Sequence, residues 1–238
     1  MKKTLFLFSF LFLTSVAFLT FSCKEEEAPC IGVVCQNSGI CLDGRCECPD
    51  GYLGSSCENF DPLQVQELLD SGISPKQLYD SGITLNDLYG KLYEGGLIFY
   101  LSASDGTGLV AAPTDGPSAK WGCGETLING ADGEAIGTGM TNTLDIINGC
   151  SASGIAAKIC NDLFVNDKDD WFLPSKDELT RLRGNLYANG HSDFQWIYYW
   201  SSTESSDGGA WSLQKTQGGI WSSITKNSTV GIRAIRKF

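Results

Sequence analysis

The chain has 238 residues, 42% of them hydrophobic, with 17 Lys and Arg against 28 Asp and Glu, a net charge of -11. So acidic a balance offers no general attraction to polyanions and argues against a nucleic-acid partner. Its ten cysteines point to disulfides, provided that the chain leaves the reducing cytosol.

The first residues predict that it does. Met1-Lys2-Lys3 is positively charged and leads into an apolar run over residues 4–21, the layout of a secretory signal. The run ends at Leu19-Thr20-Phe21-Ser22-Cys23, where a small residue precedes cysteine, and it resembles a lipoprotein signal. On that reading residues 1–22 are removed and Cys23 becomes an acylated N-terminus. An ordinary cleaved signal and a spanning helix are the competing readings of the same run. Residues 23–29, with Lys24-Glu25-Glu26-Glu27, form an acidic tether that resembles the surface-export signals of some Gram-negative lipoproteins. The expected location is the outer membrane, at the cell surface, with lipid as the anchor.

Cysteines 30, 35, 41, 46, 48 and 57 crowd into a stretch too short to bury a useful core, so disulfides must replace one. Turn-prone runs such as Gln36-Asn37-Ser38-Gly39 and Asp43-Gly44 fill the gaps. Six cysteines permit 15 connectivities, and spacing does not choose among them. The pattern Cys-x4-Cys-x5-Cys-x4-Cys-x-Cys-x8-Cys, with Gly51-Tyr52-Leu53-Gly54 in the last loop, resembles an EGF-like module over residues 30–59. The resemblance implies Cys30 with Cys41, Cys35 with Cys46, and Cys48 with Cys57. Zinc is the rival reading of the Cys-x-Cys pair, but oxidised thiols pair with each other. The family's calcium pattern is absent before Cys30, so a spacer or contact surface is expected.

Residues 60–95 carry a ten-residue repeat: Leu68-Leu69-Asp70-Ser71-Gly72-Ile73 is echoed by Leu78-Tyr79-Asp80-Ser81-Gly82-Ile83. Ser74-Pro75 with Gln77, and Thr84 with Asp87, read as starts of very short helices, and Gly82 as a left-handed exit. Helices this short need a partner to pack on, so the segment reads as a semi-rigid connector.

From residue 96 the texture changes, and all six tryptophans lie beyond that point. Residues 97–103 and 108–112 are β-prone runs separated by Ser104-Asp105-Gly106-Thr107, a hairpin signal. Helices are predicted over 142–148 and 154–163, and a third opens at the capping box Ser175-Lys176-Asp177-Glu178 and runs to about Tyr187. Residues 211–215, 220–224 and 230–236 look like strands. The order strands, helices, strands predicts an α+β domain.

Seven phrases in order then carry a resemblance: Gly95-Gly96-Leu97-Ile98-Phe99-Tyr100, Trp121-Gly122-Cys123, Gly137-Thr138-Gly139 with Asn142-Thr143, Ala156-Ala157, Trp171-Phe172-Leu173-Pro174-Ser175-Lys176-Asp177-Glu178, Tyr199-Trp200-Ser201-Ser202-Thr203-Glu204, and Arg233-Ala234-Ile235-Arg236. Residues 96–238 resemble the C-terminal domain of the Legionella collagen-like (Lcl) adhesins, surface domains implicated in glycosaminoglycan binding and attachment. The Trp-Phe-Leu-Pro-Ser phrase also resembles formylglycine-generating-enzyme-like domains, which implies a C-type-lectin-like topology. The calcium sugar motifs of C-type lectins do not occur here.

Catalytic chemistry finds little support. His191 is the only histidine and sits in a loop-like setting, without a nucleophile elbow or a helical metal pair. Asp169, Asp170, Asp177, Glu178 and Glu204 offer the carboxylates of a glycosidase, but Asp177 and Glu178 suit a helix's first turn. Asp167, Asp169 and Asp170 read more simply as a solvated loop than as calcium ligands. Among the odd set Cys123, Cys150 and Cys160, the first two are expected to pair, leaving Cys160 as a buried thiol on its helix's apolar face. For ligand contact the residues to weigh are Trp200, Trp221, Arg233, Arg236 and Lys237, with Trp196, Tyr198, Tyr199 and Trp211 beside them. Residues 96–238 hold eleven Lys and Arg against fifteen Asp and Glu, so a sulfated ligand needs such a local basic patch.

The expectation is a non-catalytic surface lipoprotein, an adhesin or glycan-binding module on an EGF-like stalk, with no cofactor and no metal. Its partner would be a glycan or a host or neighbouring surface protein. The alternatives are a structural or accessory envelope lipoprotein that binds other proteins and, further off, a carbohydrate-active enzyme.

Overall fold

The computed structural model describes residues 30–238 apart from residues 50, 62 and 217. The signal segment 1–22, Cys23 and the tether lie outside the described residues. The N-terminal module contains two small hairpins, β1 (Ile40–Leu42) with β2 (Arg45–Glu47) and β3 (Tyr52–Leu53) with β4 (Asn59–Phe60). Gly51 and Cys57 are its only buried residues among those described, so cross-links do the work of a core.

Three short helices come next: α1 (Val65–Asp70), α2 (Pro75–Asp80) and α3 (Leu85–Leu88). Ser74 and Gln77 form a reciprocal capping box with Pro75 in the first turn, and the Thr84 side chain caps α3. Helices α1 and α2 end alike. Gly72 and Gly82 take positive φ, and the Ile73 and Ile83 N–H groups reach back to the Leu68 and Leu78 carbonyls, both at 3.1 Å. Val65, Leu69, Leu78, Ile83 and Leu88 are buried in one cluster with Ile98, Leu101 and Val110 of the adjoining sheet. Residues 60–95 therefore do more than connect: they wall one side of the main core.

The rest of the chain is mixed α and β. Strands β5 (Leu92–Tyr93), β6 (Gly96–Leu101), β7 (Gly108–Ala111) and β8 (Gly116–Ala119) precede α4 (Gly139–Gly149), α5 (Ala156–Asn161) and α6 (Lys176–Leu182). A π-helical turn, Arg183–Tyr187, extends α6. Then come β9 (Tyr198–Glu204), β10 (Gly209–Gln214), β11 (Trp221–Thr225), β12 (Val230–Ile232) and β13 (Ile235–Lys237). They form a five-stranded sheet ordered β11-β10-β9-β12-β8 and a four-stranded sheet ordered β13-β7-β6-β5. All ladders are antiparallel except β12 on β9. The last run does not continue as one strand: it breaks at Arg233-Ala234, and the chain leaves the larger sheet at Ile232 to enter the smaller at Ile235.

Two cores result. One gathers Trp121, Ile146, Trp171 and Trp200 with the helical repeat, and the other sets Leu179, Leu182 and Leu186 from α6 and its π turn against Phe99, Tyr199, Leu213 and Ile235. Adjacent residues of β6, Ile98 and Phe99, feed different cores, as the alternation of a strand requires. Gly139 permits the closest approach at the start of α4: a Cβ there would lie 2.8 Å from the Ser175 nitrogen and 3.0 Å from the Leu173 oxygen.

Candidate ligand-binding surface

Three of the five residues first weighed for ligand contact are structural, which corrects the sequence expectation. Trp200 is wholly buried on β9 and donates its indole N–H to the Ala119 carbonyl at 2.9 Å. Arg233 is also wholly buried. It donates to the carbonyls of Ala112 (2.6 Å), Pro113 (3.0 Å) and Asp193 (3.4 Å), to Ser192 Oγ (2.8 Å) and to Asp115 Oδ1 (2.7 Å). Where the chain changes sheets, carbonyls lose their ladder partners, and the planar guanidinium is the side chain with enough fixed donors to serve them. The other Asp115 oxygen accepts from the Gln195 N–H at 2.7 Å and from the Tyr199 hydroxyl at 2.6 Å. Burial and this carboxylate push the Tyr199 hydroxyl's pKa up. Arg236 is 8% exposed and grips Asp170 bidentately, at 2.5 and 2.9 Å, while its third nitrogen donates to the Glu94 carbonyl. That guanidinium holds the Asp170 carboxyl below its usual range.

Of the carboxylates considered for catalysis, Glu178 and Glu204 are spent in the same way as Asp170, while Asp169 is exposed. Glu178 is fully buried and accepts N–H groups from Ser175 (2.7 Å) and Gly137 (2.8 Å), so one carboxylate caps α6 and pins the turn before α4. Burial nonetheless pushes its pKa up. Glu204 pairs with Lys226 in the interior and also accepts the Ile128 N–H at 2.9 Å. Lys226 lies 4.8 Å from the Trp121 ring centre and donates to the Thr126 carbonyl. Asp177 is exposed in the first turn of α6, and His191 is exposed beside Gly90. Among the described residues, Ser212 Oγ is the one buried side-chain N or O atom without a partner.

A different group comes together at the surface. Leu213 lies opposite Trp221, and Trp211 is two residues from Leu213, so both tryptophans project from one face of the larger sheet. Both are partly exposed. The ammonium of Lys176, at the start of α6, stands 4.4 Å from the Trp211 ring centre and 5.8 Å from that of Trp221. It pairs with Glu134 at 2.9 Å. Ser223 extends the face and shares a 2.6 Å hydroxyl contact with Ser205. Trp221 and Trp211 were legible in the sequence as candidates. Lys176 and Glu134 were not, because Lys176 reads there only as part of a capping box and Glu134 carries no motif. Lys237 is exposed on β13, and no hydrogen bond or ion pair among the described residues joins it to this face.

At the other end of the chain the cysteines bond Cys30 to Cys41, Cys35 to Cys46 and Cys48 to Cys57. Residues 27–57 match the EGF-like domain family. No curated protein matches the chain. The EGF-like module is fastened to the helical segment: the Tyr52 hydroxyl donates to the Ser81 carbonyl at 2.7 Å and the Gly51 N–H to Gln64 Oε1 at 2.8 Å. A cleft of about 630 Å3 lies between the module and the helical repeat, with Pro49, Tyr52, Leu68 and Ile83 on its walls. A fourth disulfide, Cys123–Cys150, ties the loop after β8 to the end of α4, and Cys160 is a buried free thiol.

Proposed function

We propose that this chain is a lipid-anchored lipoprotein of a Gram-negative outer membrane, a non-catalytic adhesin that holds glycan at the cell surface on the Trp211–Trp221 face. The observation that carries the reading is the pair of partly exposed tryptophans, fixed side by side on a sheet with Lys176 over them. Indole faces offer apolar area with a polar rim, the surface that a sugar ring's C–H face needs. Four disulfides and an EGF-like module suit an oxidising, extracellular setting. The Lcl-like phrases agree with this reading. Placement of the domain's early strand β6 and last strand β13 on either side of β7 supports a C-type-lectin-like topology.

The ligand class shifts with the geometry. With Arg233 and Arg236 committed inside and Lys176 already paired, the face has little free positive charge, so it suits a neutral glycan better than a sulfated one. The test is a glycan array with the mature chain beside a Trp211→Ala, Trp221→Ala variant whose fold is checked by circular dichroism. Binding by the wild type, little changed by salt and lost in the variant, is the expected result. An array with no binding, or full binding by the variant, overturns the reading.

A further inference from the structure

The two sheets have four outer edges, and three are guarded. On β5 the Gln66 amide bonds both backbone groups of Leu92, at 2.8 and 2.9 Å. Along β13, Phe172 bonds Ile235 in both directions, and Arg236 and Lys237 supply charge. Within β8, Pro117 has no N–H, and the adjoining Lys120 carbonyl accepts from the Ala156 N–H at 2.8 Å.

Among the described residues, strand β11 has no such guard. Bonds from the Gln214 N–H to Ile220 and from the Lys226 N–H to Gly208 set the register in which residues 220, 222, 224 and 226 turn their backbone groups toward β10. Trp221, Ser223 and Thr225 therefore turn theirs outward. Of these groups only the Thr225 carbonyl has a partner among the described residues, the Ser228 N–H at 2.8 Å. Ser223 and Thr225 are exposed, and Trp221-Ser222-Ser223-Ile224-Thr225 contains neither charge nor proline. Natural sheets rarely leave a five-residue edge so plain.

We propose that β11 pairs with β11 of a second copy, antiparallel about a two-fold axis at Ser223, joining the two five-stranded sheets. The segment fits itself: Trp221 faces the partner's Thr225, an aromatic and β-branched pairing that favours sheets. No like charges meet, although each copy carries -11 overall. The strand is ordered before it pairs, so little chain entropy opposes the contact. Three residue pairs meet, and with each Thr225 carbonyl already engaged by Ser228 they give about four new hydrogen bonds. So short an edge falls below the ~1,200 Å2 of a stable interface, so the dimer is weak and forms where copies are concentrated, as on a membrane. It sets the tryptophan faces of both copies on one side of a continuous sheet.

Cysteine trapping in the full mature chain tests this without reference to any ligand. In the proposed register Ser223→Cys meets its own copy at a Cα separation of about 5.5 Å, within disulfide reach, whereas Thr225→Cys residues lie about 14 Å apart. Mild oxidation should give a covalent dimer with the first and none with the second. Wild-type sedimentation should show mass rising with concentration and with added salt, which screens the net repulsion. Equal trapping of both variants, no trapping of Ser223→Cys, or capture of a different protein overturns the proposal. A failed glycan array leaves it standing.

Discussion

Truncating Arg233 tests whether this arginine is internal scaffolding. Arg233→Ala removes five hydrogen bonds and leaves Asp115, whose side chain is fully buried, without its cation. Removing one partner of a buried ion pair costs about 3–5 kcal/mol. At roughly 2–4 °C per kcal/mol for a chain of this size, the melting temperature should fall by about 6–20 °C. Arg233→Lys keeps the charge but offers three donors where five are used, so a smaller loss is expected. The assay is thermal unfolding by circular dichroism at pH 7, with Arg236→Ala alongside. That variant should lose less, because its partner Asp170 has a side chain 44% exposed. An Arg233→Ala protein that melts within about 2 °C of wild type would refute the reasoning.

Asp170 and Glu178 should give opposite pH signatures. Asp170, with its pKa lowered in the fold, adds stability above its unfolded value that is lost as pH falls through the folded one, so Asp170→Asn and wild type should converge in melting temperature on acidification. Glu178, with its pKa raised by burial, adds stability below its unfolded value that is lost as pH rises through the folded one. The advantage of wild type over Glu178→Gln should therefore shrink from pH 4 toward pH 7. Burial pushes the Cys160 thiol up, so iodoacetamide at pH 8 should leave it unmodified in the native protein and label it only after unfolding, as read by mass spectrometry. Reduction should collapse the amide NMR dispersion of residues 30–57, whose disulfides close short spans of 11, 11 and 9 residues, while residues 96–238 keep theirs.

What the sequence revealed was local chemistry. The capping boxes at Ser74 and Ser175 read correctly because their partners lie three residues away. The hairpin β6–β7 and the strands β10 and β11 showed through their apolar, β-prone runs. Strand β9 went unread because Ser201, Ser202, Thr203 and Glu204 are polar yet buried, each with a distant or cross-strand partner. Trp211 supplies the carbonyl for Ser201, Asn142 the amide for Ser202, Gly133 the carbonyl for Thr203 and Lys226 the ammonium for Glu204. The break at Arg233-Ala234 was hidden for a related reason. An arginine in a terminal strand suggests a solvent face, and only the third dimension shows the carbonyls it must satisfy. The Lys176–Trp211–Trp221 group joins α6 to β10 and β11, a contact that no spacing rule announces.

Docking of the EGF-like module on α1–α3, and of those helices on the main core, has a mechanical consequence. A pull between the N-terminal side and anything held on the β10–β11 face meets no slack segment among the described residues. The load passes through the disulfides, then the Tyr52–Ser81 and Gly51–Gln64 bonds, then into helices whose Leu69, Leu78 and Ile83 are keyed into the same core as Ile98 and Val110. Such a molecule transmits tension instead of absorbing it, until the first of those seams yields.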